Sequence, residues 1–120
     1  MSKILVVDDQ LSHQEMIVSL LKKSGLKVMS ANSGAKALEQ TEIHKPDLII
    51  LDIVMPDING YEVCRRLRAN SATKDLPIIF CSIKGEEFDR YWGMRQGANA
   101  YVAKPFQPKE LLSTVKRLLR

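Results

Sequence analysis

The chain has 120 residues, 45% hydrophobic and 27% charged, with 18 basic against 14 acidic side chains and a formal charge of +4. That length supports a single core, and the balance is that of an ordinary globular protein rather than a disordered or fibrous one. No window approaches the roughly eighteen uninterrupted apolar residues of a membrane span.

The chain opens with Met1-Ser2-Lys3 and passes into Ile4-Leu5-Val6-Val7 before Asp8-Asp9. So brief an apolar run is no secretory signal, and a cytoplasmic protein is expected. Apolar runs recur at 3–7, 27–31, 47–52, 77–81 and 100–103, each short enough to be a strand. Helical spacing fills the intervals. The first helix is predicted over 12–24, with Met16, Ile17, Leu20 and Leu21 on its inner face and Gly25 as its stop. The second runs over 34–43 and ends before Lys45-Pro46. The third covers 60–69, with Tyr61, Val63, Cys64 and Leu67 as its apolar positions. A polar connection over 70–76 leads to the fourth strand, the fourth helix spans 85–96, and the last begins at Pro108, a favoured first-turn residue. Strand–helix alternation of this kind predicts an α/β, doubly wound parallel sheet of five strands with helices on both faces, in one unit without repeat or linker.

The third strand carries the sharpest signal. Leu48-Ile49-Ile50-Leu51 ends on Asp52, with Pro56 and Gly60 close behind. Taken alone, Asp52 reads equally as a ligand at the carboxyl end of a buried strand or as a turn and capping residue. The other strand ends bear on that choice, since the first runs into Asp8-Asp9, the fourth into Ser82 and the fifth into Lys104-Pro105. In a parallel sheet these groups gather at one edge. Carboxylates there repel one another unless a cation balances them, and oxygen ligands suit Mg²⁺. Lys104 adds a positive group and Ser82 a hydroxyl. Such a set fits the oxygens of a transferred phosphoryl group, with Asp52 as the natural nucleophile.

With those residues in place, the chain resembles a response-regulator receiver domain of the CheY type over its whole length. The resemblance rests on Asp8-Asp9, the Asp52-Ile53-Val54-Met55-Pro56…Gly60 run, Ser82, Tyr101 and Lys104-Pro105-Phe106. It implies a flavodoxin-like fold of strand order 2-1-3-4-5, spanning residues 1–120 with no output domain. It implies Asp52 as phosphoacceptor, and Mg²⁺ bound by Asp9, Asp8, Asp52 and the Val54 backbone carbonyl. Ser82 and Lys104 would contact the phosphoryl oxygens, the Lys104–Pro105 bond would be cis, and Tyr101 would turn inward when Ser82 moves. The donor would be a histidine kinase or phosphotransfer protein. The downstream target would dock on the face of the fourth helix, fifth strand and fifth helix, with the chain a monomer or weak dimer. No enzyme activity is implied beyond the chain's own phosphorylation and its slow reversal. The stretch from Tyr91-Trp92 to Gly97-Ala98 resembles the PilH-like regulators of twitching motility and phototaxis.

Other features frame that reading. Ile83 follows Ser82 where receivers usually carry a small residue, Val54 offers no side-chain hydrogen bond to an attacking water, and Lys84 could pair with the phosphate instead. Slow dephosphorylation is the expectation. Phe88, Tyr91, Trp92 and Met94 give the fourth helix more apolar bulk than one inner stripe needs, so at least one is expected outside, as a binding anchor. Gly60 is expected to permit the turn into the third helix. Cys81 reads as a core residue, and His13 and His44 lie too far apart in sequence to support a zinc site with Cys64 or Cys81. Basic residues are spread, with a modest concentration at Lys109, Lys116, Arg117 and Arg120, and no aromatic-laced stripe calls for nucleic acid. A haloacid-dehalogenase-like phosphatase needs a second Asp where Val54 stands. A flavodoxin phosphate loop would not carry Asp8-Asp9. The intact acidic set argues against a degenerate receiver that works unphosphorylated.

Overall fold

The structure, a computed structural model, describes residues 2–119; Met1 and Arg120 lie outside the described residues. The order is β1 (Lys3–Val7), α1 (Leu11–Lys23), β2 (Lys27–Ala31), α2 (Gly34–His44), β3 (Leu48–Leu51), α3 (Gly60–Ala69), β4 (Ile78–Ser82), α4 (Glu87–Arg95), β5 (Ala100–Ala103) and α5 (Pro108–Leu118). All strand pairs are parallel, and the sheet runs β2-β1-β3-β4-β5, the order the resemblance implies. Alternate strand residues face opposite sides. Leu5, Val7, Ile49, Leu51, Ile78 and Phe80 therefore join the core under α2 and α3, while Ile4, Val6, Leu48, Ile50, Ile79 and Cys81 join the one under α1 and α5. Burial on both faces explains the unbroken apolar runs.

Several expectations are corrected. In α1 the inner stripe is Gln14, Ile17 and Leu21, whereas Met16 is 48% exposed. Gln14 is buried because its side-chain amide donates to the carbonyls of Asp8 and Ala31, stitching α1 to the ends of β1 and β2. The third strand stops at Leu51, so Asp52 lies just past it, and Ser82 is the last residue of β4 rather than the first beyond it. The fourth helix starts at Glu87 instead of 85, because the Asp89 carboxylate accepts the Glu86 N–H and fixes the entry there. The expectation that at least one of Phe88, Tyr91, Trp92 and Met94 lies outside is met, since all four are exposed and the buried residue of α4 is Gly93. Gly60 has an ordinary negative φ; its requirement is space, since a Cβ there would lie 2.2 Å from the Asp52 carbonyl oxygen.

Candidate functional site

Register brings the carboxylates together. β1 and β3 are neighbours at the point where strand order reverses, and Val7 pairs with Leu51. The next residue on each strand is an aspartate, so Asp8 and Asp52 emerge side by side in the crevice such a reversal opens. The ladder continues to their backbones: Asp8 N–H donates to Ala31 O at 3.1 Å and Asp52 N–H to Val7 O at 3.0 Å. Oxygens of Asp8, Asp9 and Asp52 all lie within 4.8 Å of one another. Asp8 and Asp52 are buried, and Asp9 is exposed.

Lys104 reaches this cluster from the far side of the sheet. Its N–H donates to Ser82 O at 2.8 Å, continuing the β4–β5 pairing, and the Lys104–Pro105 bond is cis. The ammonium then makes a 2.6 Å contact with Asp8 Oδ2 and stands 3.7 Å from Asp52 Oδ2. Its third neighbour is His13 Nδ1 at 3.0 Å. An ammonium has no lone pair, so this contact requires His13 Nδ1 to accept, with the ring proton on Nε2. Asp52 Oδ1 accepts from Ile53 N–H at 2.7 Å, while Oδ2 is beyond hydrogen-bonding range of Lys104. Burial raises the Asp52 carboxyl above its usual range; Lys104 opposes this, and the charges of Asp8 and Asp9 reinforce it.

This donor set fits a hard divalent cation. Three carboxylates face a single nearby ammonium, two of them are buried, and every candidate ligand is oxygen. Neutralising that excess negative charge is what Mg²⁺ would supply.

The remaining predicted residues lie around or away from the cluster. Ser82 is fully buried, and its Oγ accepts from the Lys84 N–H at 3.3 Å. Tyr101 is buried, packed against Phe80 at 6.2 Å between ring centroids, and its hydroxyl donates to the Lys84 carbonyl. Tyr101 thus lies inward, under the loop that carries Lys84. Burial pushes the Tyr101 phenol well above its usual range. Ile83 is 63% and Val54 49% exposed, placing apolar side chains on the surface beside Ser82 and Asp52. Tyr91 and Trp92 stay outside the acidic pocket, lining with Glu87 and Phe88 a shallow surface depression.

Sequence reasoning missed His13, Gln14 and Arg90. Gln14 was findable, being in step with Ile17 and Leu21 at helical spacing. Arg90 stacks its guanidinium 5.7 Å from the Tyr101 ring centroid. Neither Arg90 nor His13 carries a sequence signal, because each contact joins two different elements of the fold.

The sequence comparisons agree with this architecture. Residues 4–116 match the response regulator receiver domain. The chain belongs to that family. Protein PilH of Pseudomonas aeruginosa is 36% identical over 119 residues, covering 99% of this chain and 98% of PilH. The alkaline phosphatase synthesis transcriptional regulatory protein PhoP of Bacillus subtilis is 43% identical over 118 residues, covering 98% of this chain. The receiver spans only 48% of PhoP's length. Among solved structures, a putative response regulator from Chloroflexus aurantiacus superposes with a TM-score of 0.95 at 40% identity, covering 98% of this chain and 97% of that one. Chemotaxis response regulator CheY4 of Vibrio cholerae superposes with a TM-score of 0.91 at 33% identity, covering 98% of each. This receiver is thus CheY-like in fold, and no described helix is long and apolar enough to cross a membrane.

Proposed function

We propose that this receiver is a phosphorylation switch in which Asp52 accepts a phosphoryl group from a histidine kinase or phosphotransfer protein. The observation that carries the reading is the buried Asp8–Asp52–Lys104 arrangement, with Asp52 Oδ2 close to a cation yet not hydrogen-bonded by it. In the transfer, Asp52 Oδ2 forms a bond to phosphorus as the donor histidine's N–P bond breaks, the bonding pair returns to the histidine nitrogen, and the ring leaves as neutral imidazole with a proton taken up from solvent. Asp8, Asp9, Asp52 and the Val54 carbonyl are the groups that would hold Mg²⁺, which supplies charge neutralisation for the phosphoryl oxygens when bound. Lys104 gives a second positive group and Ser82 a hydroxyl donor toward those oxygens. The added charge of roughly −1.5 to −2 then biases the Ser82–Tyr101 region. Output is protein binding at the α4–β5–α5 face, where Tyr91 and Trp92 are exposed. The relation to PilH and CheY4 supports a role in motility or taxis.

Incubation with Mg²⁺ and a small phosphodonor, followed by intact mass, tests the central step. The wild type is expected to gain one phosphoryl mass and Asp52→Asn none; equal gain by both would sink the assignment. Once phosphorylated, the protein is expected to lose the group slowly, because Val54 offers no hydrogen bond to an attacking water and Lys84 is available to pair with the phosphate. A decay half-life of seconds would overturn that expectation.

A further inference from the structure

The loop between β3 and α3 is anchored at both its base and its tip. At the base, the Gly60 N–H donates to the Ile53 carbonyl at 2.8 Å. Along the loop Ile53 and Met55 are buried, and Ile58 packs against the same core. At the tip Asp57 is exposed, yet its carboxylate spans to another element: Oδ1 accepts from Gly34 N–H at 3.1 Å and Oδ2 from Ala35 N–H at 2.9 Å. Both amides belong to the first turn of α2, where N–H groups have no partner within the helix and favour negative charge. The helix has its own cap as well, Ser33 Oγ accepting from Lys36 N–H at 3.1 Å. Amide hydrogen bonds from Ala35, Ile58 and Gly34 hold the Asp57 carboxyl below its usual range. The same joint is tight in backbone, since a Cβ on Gly34 would lie 2.5 Å from the Ile58 carbonyl oxygen.

We propose that Asp57 is a positioning residue for the metal site, latching the β3–α3 loop to α2 so that the Val54 carbonyl stays where a Mg²⁺ ion would use it. The inference rests on the metal reading given above. Asp8, Asp9 and Asp52 stand at or just past strand ends, so the sheet places them. Val54 alone among the four candidate ligands comes from within the loop, and its half-exposed side chain gives it no anchor in the core. Its carbonyl is held through the loop's base, its buried neighbours and the Asp57 latch. Groups that orient a ligand from outside the coordination sphere typically change metal affinity about 10–100-fold when removed. An exposed latch belongs at the low end of that range.

The test is calorimetric titration of Mg²⁺ into the wild-type chain and the Asp57→Ala, Asp57→Asn and Ser33→Ala variants, with a thermal melt of each in chelator. Asp57→Ala is expected to weaken Mg²⁺ about tenfold. Asp57→Asn keeps an accepting Oδ1 and is expected to lose clearly less. Ser33→Ala loosens α2 without touching the loop, so it is expected to melt earlier but bind Mg²⁺ as the wild type does. Wild-type affinity in Asp57→Ala overturns the latch, and so does a Ser33→Ala loss as large as that of Asp57→Ala. A wild-type chain that binds no Mg²⁺ overturns the metal reading itself, and the latch with it.

Discussion

Asp52 combines two demands that conflict physically: an attacking carboxylate must be ionised, and it is buried. Burial raises its carboxyl above the usual range, and Lys104 only partly compensates. In the metal-free fold the folded state therefore holds this proton more tightly than the unfolded chain does. The contribution of Asp52 to stability is full below the ordinary carboxylate range and is lost as pH rises through the raised value. Asp52→Asn is expected to remove that slope and to raise the neutral-pH melting midpoint by a few degrees, the scale on which roughly 1 kcal/mol acts in a domain of this size. Melts across pH in chelator check this, and an unchanged or lower midpoint contradicts it. Asp52, Asp8, Asp9 and Lys104 could all be picked out as residues by type and position. His13 could not, because its role is to meet Lys104 across 91 positions of sequence.

Among the elements, α4 differs most from a helix seated by a hydrophobic stripe. Its buried residue against the sheet is a glycine, beside the Arg90 guanidinium: a Cβ at Gly93 would lie 2.7 Å from the Tyr101 ring. Gly93→Ala is expected to cost about 1–3 kcal/mol by overpacking, read as a lowered melting midpoint and a changed Trp92 fluorescence. Phe88, Tyr91 and Trp92, at 59%, 62% and 46% exposure, point away from that seat. Each changed singly to Ala is expected to shift stability by less than about 0.5 kcal/mol in denaturant titration. A loss above about 1 kcal/mol at any of them would instead assign it to packing. The helical pattern here revealed an excess of apolar bulk but not which side would be buried, since a glycine at an interface has no side chain to contribute to a hydrophobic pattern. In α1 the same blindness took another form, where a buried glutamine holds a place that hydrophobicity assigned to Met16.

Across the molecule, Lys104 ties the end of β5 to the end of β1, with side-chain exposures of 6% for Lys104 and 2% for Asp8. Removing one member of a buried pair strands the other, a loss of about 3–5 kcal/mol. Lys104→Met is expected to lower the melting midpoint strongly in chelator and to regain part of it in millimolar Mg²⁺, by mass action on the folded state. A variant as stable as the wild type in chelator contradicts the pairing.

By itself the sequence determined the alternation of strands and helices, the burial of the sheet on both faces and the polar residues at four of the five strand ends. Those features are local: they depend on periods of two and 3.6 residues and on turn chemistry within a few positions. Strand order came from resemblance rather than from pattern, since right-handed crossovers restrict the possible arrangements without choosing among them. Only the tertiary structure decided that Lys104 rests on Asp8 and His13 in preference to Asp52, that Gly93 is the seat of α4, and that Asp57 grips α2. Each joins residues on different elements, and such contacts exist only once the sheet has brought those elements together.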